Sequence, residues 1–261
     1  MDIIFDHVVV QYDTASASAL GPVSCVIHGG ECVLISGPNG GGKTTFARVL
    51  AGVLIPISGS LHLSDGRQRQ DWPANVVGWL QQEAEHQIVG TSVVEDVMLS
   101  SVWHAKSRRE VVQRTHRAIA RTRMRGMERR YWDTLSGGEL HLSAVAAILA
   151  QQAQILVLDE PETMLDASAQ RLIAEILAEQ KRERTTLIIV SHDPRWINFA
   201  DRYLWIAKGL AREISQHEMQ ESMSDDWTRF CRGVVELIGA EKWIEDSERC
   251  TPGKLAGYLW P

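Results

Sequence analysis

Apolar residues along the chain fall into short blocks whose spacing predicts most of the elements. Ile3 to Tyr12, Val23 to His28 and, past Gly29-Gly30, Glu31 to Ser36 are rich in β-branched and apolar side chains and predict a small antiparallel β region at the start. Phe46 to Leu50 carries a helix, the IPISG segment Ile55 to Gly59 breaks it, and Leu61 to Leu63 and Val76 to Leu80 read as short strands. From about Glu83 the period changes. Ser92-x-x-Glu95 and Ser107-x-x-Glu110 are capping-box signatures, each opening a helix, and no strand pattern returns before Ala150. The run Ile155 to Leu158, a helix from about Ala167 to Arg184 and a strand Thr186 to Val190 then alternate. Continuous apolar strands alternating with helices indicate a parallel sheet covered on both faces. The expected class is α/β, a mostly parallel sheet flanked by helices, with an N-terminal antiparallel β subdomain and a helical subdomain at about 83–150 inserted between two halves of the core. The core would occupy 1–210 and a C-terminal extension 211–261. In that extension Trp227, Phe230, Cys231, Val234, Leu237 and Ile238 share one helical stripe, with Trp243, Leu259 and Trp260 further on.

Composition narrows the class. A chain of 261 residues with 44% hydrophobic and 23% charged residues can bury a substantial core. No uninterrupted apolar segment approaches ~18 residues, and the start MDIIFDHVVVQYD lacks a basic region, so neither a membrane span nor a signal peptide is expected and the chain is placed in the cytoplasm. Cys25, Cys32, Cys231 and Cys250 form no C-x-x-C pair, and the two in strand-like runs predict buried free thiols rather than zinc ligands. The net charge of −6 argues against a general nucleic-acid binder, and no specific nucleic acid is expected as a partner. Between His104 and Arg130, however, ten basic residues face two acidic ones. That segment is either a solvated helix surface or a functional basic patch.

The chemistry concentrates in Gly37 to Thr45, GPNGGGKTT. Gly37, Gly42, Lys43 and Thr44 match G-x-x-x-x-G-K-[ST], and the apolar run Cys32 to Ile35 leads into them, the strand, loop and helix context that a phosphate loop needs. Glycines, among them Gly40 and Gly41 beside Asn39, let backbone N–H groups turn toward one concavity, and the helix start adds its positive dipole end. Lys43 would reach terminal phosphates and the Thr44 hydroxyl would ligate Mg²⁺. The bland alternative is a glycine-rich surface turn. Asp159 and Glu160 follow a buried strand, which suits a carboxylate for Mg²⁺ and one for an attacking water, since phosphoryl transfer is mainly positioning and charge neutralisation. In Leu135 to Glu139, LSGGE, Ser136, Gly137 and Gly138 set a hydroxyl and unencumbered N–H groups at a helix start, a second anion site; Ser136-x-x-Glu139 also reads as simple helix capping.

One phosphate loop followed by one LSGG resembles an ATP-binding-cassette ATPase over roughly Met1 to Gly209, which implies a P-loop NTPase core. By that resemblance Tyr12 stacks on adenine and Gly37 to Thr45 is the Walker A loop. Gln82 is the Q-loop glutamine and a further Mg²⁺ ligand, and Leu135 to Glu139 is the signature. Ile155 to Glu160 is Walker B with its catalytic glutamate, Asp166 ends the D-loop, and His192 within VSHD is the switch histidine. The run Gln82 to Val97 is similar to the Q-loop region of energy-coupling-factor and cobalt-type importer ATPases. Three features depart from the family pattern: Glu139 replaces the commoner Gln, Leu140-His141-Leu142 stand where polar and basic residues are usual, and Glu162 occupies a usual Thr position. These changes are expected to alter the face offered to a partner.

The resemblance implies an ATPase subunit, peripheral on the cytoplasmic face of the membrane, powering an importer for a metal ion or vitamin. ATP and Mg²⁺ are the expected ligands. A second ATPase chain, as homodimer or paralogous heterodimer, would lay its signature on the γ-phosphate, and a transmembrane subunit would be contacted through the helical subdomain and Q-loop. An anionic lipid surface is a further expected partner for the basic segment. A soluble cassette that clamps nucleic acid or the ribosome, and a regulatory cassette with negligible turnover, are the alternatives.

Overall fold

The computed structural model describes residues 1–12, 18–73, 75–102 and 105–224. The helical stripe expected from Trp227, and Trp243, Leu259, Trp260, Cys231 and Cys250, lie outside the described residues. Two sheets organise the described residues. Strands β1 (Ile3–Val10), β2 (Leu20–Ile27) and β4 (Ser58–Leu63) form an antiparallel sheet in the order β2-β1-β4. Strands β3 (Cys32–Ser36), β5 (Val77–Leu80), β6 (Ile155–Asp159), β7 (Thr186–Val190), β8 (Arg202–Ala207) and β9 (Leu210–Ile214) form a six-stranded sheet ordered β5-β6-β7-β3-β8-β9. All neighbours in it pair parallel except β8 with β9, which are antiparallel. Strand β3 thus leaves the antiparallel region in which its composition had grouped it. Each of its five residues is buried, as a strand covered on both faces requires.

The alternation of side chains across that sheet divides the core in two. Val33, Ile35, Val157 and Ile188 point to a cluster shared with α1 (Lys43–Ala51) and the antiparallel sheet. Leu34, Leu156, Leu158 and Ile189 point to a cluster shared with α2 (Val93–Val102), α3 (Arg108–Arg121), α4 (Gly137–Gln151) and α5 (Ala167–Arg182). In the first cluster the rings of Phe5 and Phe46 stack at 4.4 Å, which fixes the antiparallel sheet against α1.

Between β5 and β6 the described chain contains helices and turns, with α2, α3 and α4 packed on one another. At the start of α3 the Ser107 hydroxyl accepts from the Glu110 N–H. At α2, which begins at Val93 directly after Ser92, the Glu95 carboxylate accepts from the backbone N–H and hydroxyl of Thr91 and also from the Ser92 N–H. The expected boundary at residue 210 falls at the first residue of β9, because the tight turn at Lys208-Gly209, both left-handed, returns the chain to the sheet edge. Residues 216–224 then form a helix whose Met219 and Met223 are buried in the second cluster.

Several arginines of the basic segment are paired within the fold. Arg114 binds Glu110, Arg121 binds Glu179 and Glu183, Arg123 binds Glu175, and Arg130 binds Glu139. Arg121 thereby ties the end of α3 to α5 and Glu183, Arg123 ties the chain just beyond α3 to α5, Arg130 ties the following turn to the start of α4, and the Arg114 pair lies within α3.

Candidate active site

The C-terminal ends of β3 and β6, neighbours on either side of β7, deliver the chemistry to one edge of the sheet. Strand β3 ends at Ser36, and the chain folds over itself through Gly37, whose φ of 143° and whose closeness to the Ile206 carbonyl leave no room for a side chain: a Cβ there would sit 2.0 Å from that oxygen. Gly42 closes the loop in the left-handed region at φ 111° and is the residue before α1. It offers no side chain to cap the helix, and no acidic residue stands in the first turn, so the positive end of α1 stays unneutralised. Lys43 is buried beneath the loop, its ammonium donating to the carbonyls of Gly37 at 2.7 Å and Pro38 at 3.1 Å.

A cleft of about 1150 Å³ lies in front of this loop. It is lined by Pro38 through Thr45, with Tyr12, Gln82, Asp159, Glu160 and His192. The sequence-predicted residues from five separated segments are therefore brought together. Tyr12 is half-buried, and its hydroxyl lies 3.2 Å from the Thr45 hydroxyl and accepts from Arg48 at 3.4 Å, which sets its ring at the mouth of the loop.

Asp159 is the last residue of β6 and is buried. Burial pushes its carboxyl up to about 6, against the opposing hydrogen bond from the Thr44 hydroxyl and with a further rise from the neighbouring Glu160 charge. Glu160 is held in the left-handed region at φ 50°, its N–H donating to the Val190 carbonyl at 2.8 Å. Its Oε2 accepts from the Gln82 amide at 3.0 Å and from the Thr163 hydroxyl at 3.1 Å. The two carboxylates so adjacent in sequence thus part: one into the protein beside Thr44, the other toward Gln82 in the cleft.

Ser136, Gly137, Gly138 and Asp166 are not among the residues lining this cleft. Ser136 caps α4, accepting from the Glu139 N–H at 3.3 Å while Glu139 accepts from the Ser136 N–H at 2.7 Å, a complete capping box. These backbone bonds, with Arg130 beyond them, hold the Glu139 carboxyl below its usual range. Asp166 caps α5 through Ala169 N–H at 2.8 Å.

The departures from the family pattern turn inward. His141 is buried, with one ring nitrogen bonded to the Pro161 carbonyl and Nε2 without a partner, and burial lowers its pKa. Leu140 and Leu142 pack on the core cluster. Glu162 accepts from the Ser191 hydroxyl and from Trp196 Nε1 at 2.9 Å. Of these departures His141 is buried outright, while Glu139, Leu140, Leu142 and Glu162 stay half-buried and combine internal contacts with a partly exposed surface. Residues that sequence reasoning did not single out include Arg48 on Tyr12, Thr163 on Glu160 and Met223 in the cleft wall.

A model of the ABC transporter family matches residues 20–163, more than half of the chain. The chain belongs to the ABC transporter family. It is 34% identical over 211 residues to the energy-coupling factor transporter ATP-binding protein EcfA1 of Levilactobacillus brevis, covering 79% of this chain and 76% of that one. It is 31% identical over 265 residues to the EcfA1 of Listeria monocytogenes, covering 98% and 95%. Among solved structures, cbiO1 from Clostridium perfringens, part of the ABC transporter complex cbiONQ, superposes with a TM-score of 0.71 at 23% identity over 91% of this chain and 98% of that one. The ATP-binding cassette MJ0796, dimeric in a post-hydrolysis state bound to ADP and Pi, gives 0.74 at 22% identity over 82% and 98%. The protein is thus an ABC ATPase with the P-loop NTPase fold, an ATP-binding subunit similar to those of energy-coupling factor transporters.

Proposed function

We propose that this ABC ATPase powers a membrane importer for a micronutrient, a metal ion or a vitamin, and that two such chains, identical or paralogous, close around two ATP molecules. The observation that carries the reading is the division of the site. Walker A, Gln82, Asp159, Glu160 and His192 share one cleft, whereas Ser136, Gly137 and Gly138 do not line it. A second chain's signature is then needed to complete each site. The relatives named for energy-coupling factor transporters support the transport reading.

In this reading Tyr12 stacks on the adenine, the loop from Gly37 through Asn39, Gly40, Gly41 and Gly42 to Thr45 cradles the phosphates, and Lys43 neutralises the terminal ones. Glu160 orients the attacking water, and His192 holds the γ-phosphate in line with it. Ser136, Gly137, Gly138 and Asp166 act toward the partner chain's nucleotide. A magnesium ion fits the donor set. The Thr44 hydroxyl, Gln82 amide and Asp159 carboxylate are hard oxygen donors in one cleft, and Asp159 is a buried carboxylate whose charge lacks full compensation. When bound, the ion would neutralise charge developing on the phosphates.

The segment between β5 and β6, about 83–150, is read as the helical subdomain through which a transmembrane subunit senses the Q-loop. Among the described residues no helix is long and apolar enough to cross a membrane, so attachment would run through that subunit. The exposed Arg108 and Arg109 are placed to meet anionic lipid, at ~1 kcal/mol per residue close to the surface. Unchanged liposome association after both are made Ala disposes of the lipid contact. For the main reading, the full chain is expressed with its neighbouring reading frames. Co-purification with a multispanning membrane protein that stimulates its ATP turnover is expected, and ATP-dependent retention on DNA or ribosomes instead would overturn it.

A further inference from the structure

Glu162 has no role in ATP binding as described, yet its side chain is the anchor of a closed hydrogen-bonded ring around the loop that carries His192. The Ser191 hydroxyl donates to Glu162 Oε1, and the same oxygen of Ser191 accepts from the Asp193 N–H at 2.8 Å. Asp193 pairs with Arg195 Nε at 2.9 Å, Arg195 Nη1 donates to Gln170 Oε1 at 2.8 Å, and Gln170 Nε2 returns to the Glu162 carbonyl at 3.2 Å. Trp196 Nε1 adds a second tie, to Glu162 Oε2 at 2.9 Å. Every residue of the ring flanks His192 or sits on the loop and helix after Glu160. His192 itself projects into the cleft from inside this frame, exposed between buried Ser191 and the ring's Asp193.

We propose that Glu162 is a positioning residue for His192, holding the loop after β7 in register with Glu160 through Ser191 and Trp196. The inference rests on the reading of His192 as the group that holds the γ-phosphate. Glu160 and Glu162 lie two residues apart on one turn, and Glu160 N–H is bonded to the end of β7 itself, so the water-orienting carboxylate and the phosphate-holding imidazole are fixed to the same pair of strands. A neutral Thr at 162 reaches neither Ser191 nor Trp196 with two acceptor atoms. The carboxylate has the length and the two lone-pair-bearing oxygens to take both donors at once. The bond from His141 to the Pro161 carbonyl holds the preceding residue from the side of α4, so the anchor is braced from two elements.

Displacement of a catalytic group by about an ångström costs on the order of 10²-fold in rate. Steady-state ATP turnover of the full chain is therefore expected to fall by ~10- to 100-fold in kcat for Glu162→Ala, with KM for ATP within about twofold of the parent, because the phosphate loop is not touched. Ser191→Ala should fall in the same direction, and the Glu162→Ala/Ser191→Ala double variant by less than the two losses combined, since both variants break the shared Ser191–Glu162 bond. Glu162→Gln, which keeps an acceptor for Trp196, should recover part of the loss. Nucleotide binding by each variant, followed by calorimetry, reports whether the chain is folded; Ser191→Ala and Glu162→Gln serve if Glu162→Ala does not fold. His192→Ala separates the role of His192 from that of Glu162. If His192→Ala turns over like the parent, the reading of His192 fails and the inference falls with it. If His192→Ala is inactive while Glu162→Ala and Ser191→Ala keep the parental kcat, or lose it additively with a parallel rise in KM, the inference alone is overturned.

Discussion

The starts of α1 and α4 are built from similar residues, glycines beside a hydroxyl, and end up electrostatically opposed. At α1, Gly42 contributes no side chain, no acid occupies the first turn, and Lys43 lies beneath, so the positive end of the helix opens into the cleft. At α4 the same kind of terminus already holds an anion of its own: Glu139 folds back onto the Ser136 N–H at 2.7 Å and is backed by Arg130 at 3.0 Å. A helix N-terminus is a general anion site, and sequence context decides whether a ligand or a neighbouring side chain fills it. On the proposed reading, phosphate binding within one chain falls to α1, and α4 acts only where something displaces or shares Glu139.

The largest expected effect separates binding at α1 from chemistry. Glu160→Gln should lower ATP turnover by on the order of 10²–10⁴-fold while leaving nucleotide affinity at α1 intact. Equal turnover in steady-state assays would remove Glu160 from the mechanism. Next, Lys43→Ala should weaken nucleotide binding by ~10- to 100-fold, the worth of a charge-assisted hydrogen bond, whereas Ser136→Ala should leave the affinity of an isolated chain unchanged. Equal losses by calorimetry would erase the distinction between the two helix starts.

A third test reads the burial of Asp159. Its carboxyl is raised from 3.8 to about 6 by desolvation, so in nucleotide-free protein it contributes stability that is fully present below about 4 and lost as pH rises through about 6. The difference is on the order of 2–3 kcal/mol. Asp159→Asn should flatten that part of the melting curve against pH, and an unchanged slope would show the charge to be compensated otherwise. The smallest effect sharpens the comparison directly. Glu139→Gln keeps the capping geometry and removes the charge, so thermal stability should change by less than ~1 kcal/mol. ATP-dependent pairing of chains, measured by light scattering with turnover blocked, should strengthen severalfold.

Much of this site was legible because its motifs are local. The spacing of Gly37, Gly42, Lys43 and Thr44 encodes a turn and a helix start within nine residues, and Asp159-Glu160 follows a strand whose apolar run is unmistakable. What could not be read is set by contacts between distant segments. That β3 pairs with β7 and β8 rather than with its sequence neighbours depends on parallel crossovers, which leave no mark in the strand itself. The inward turn of His141 and Glu162 is of the same kind. A polar residue after a helix start or a strand end looks solvent-facing until Pro161, Ser191 and Trp196 are brought to it from 20 to 34 residues away. The edge strand β9 was lost to the extension because its burial pattern, eieeB, is that of a half-exposed strand with little apolar signal.

Gln82 and Thr163 engage the same oxygen of Glu160. Two donors on one oxygen fix the orientation of that carboxylate. The glutamine stands just past β5, on the chain leading toward α2, so the contact links that segment to Glu160. The contact therefore works as a tether of a single hydrogen bond, joining the end of β6 to the chain that leaves β5 for the helical segment.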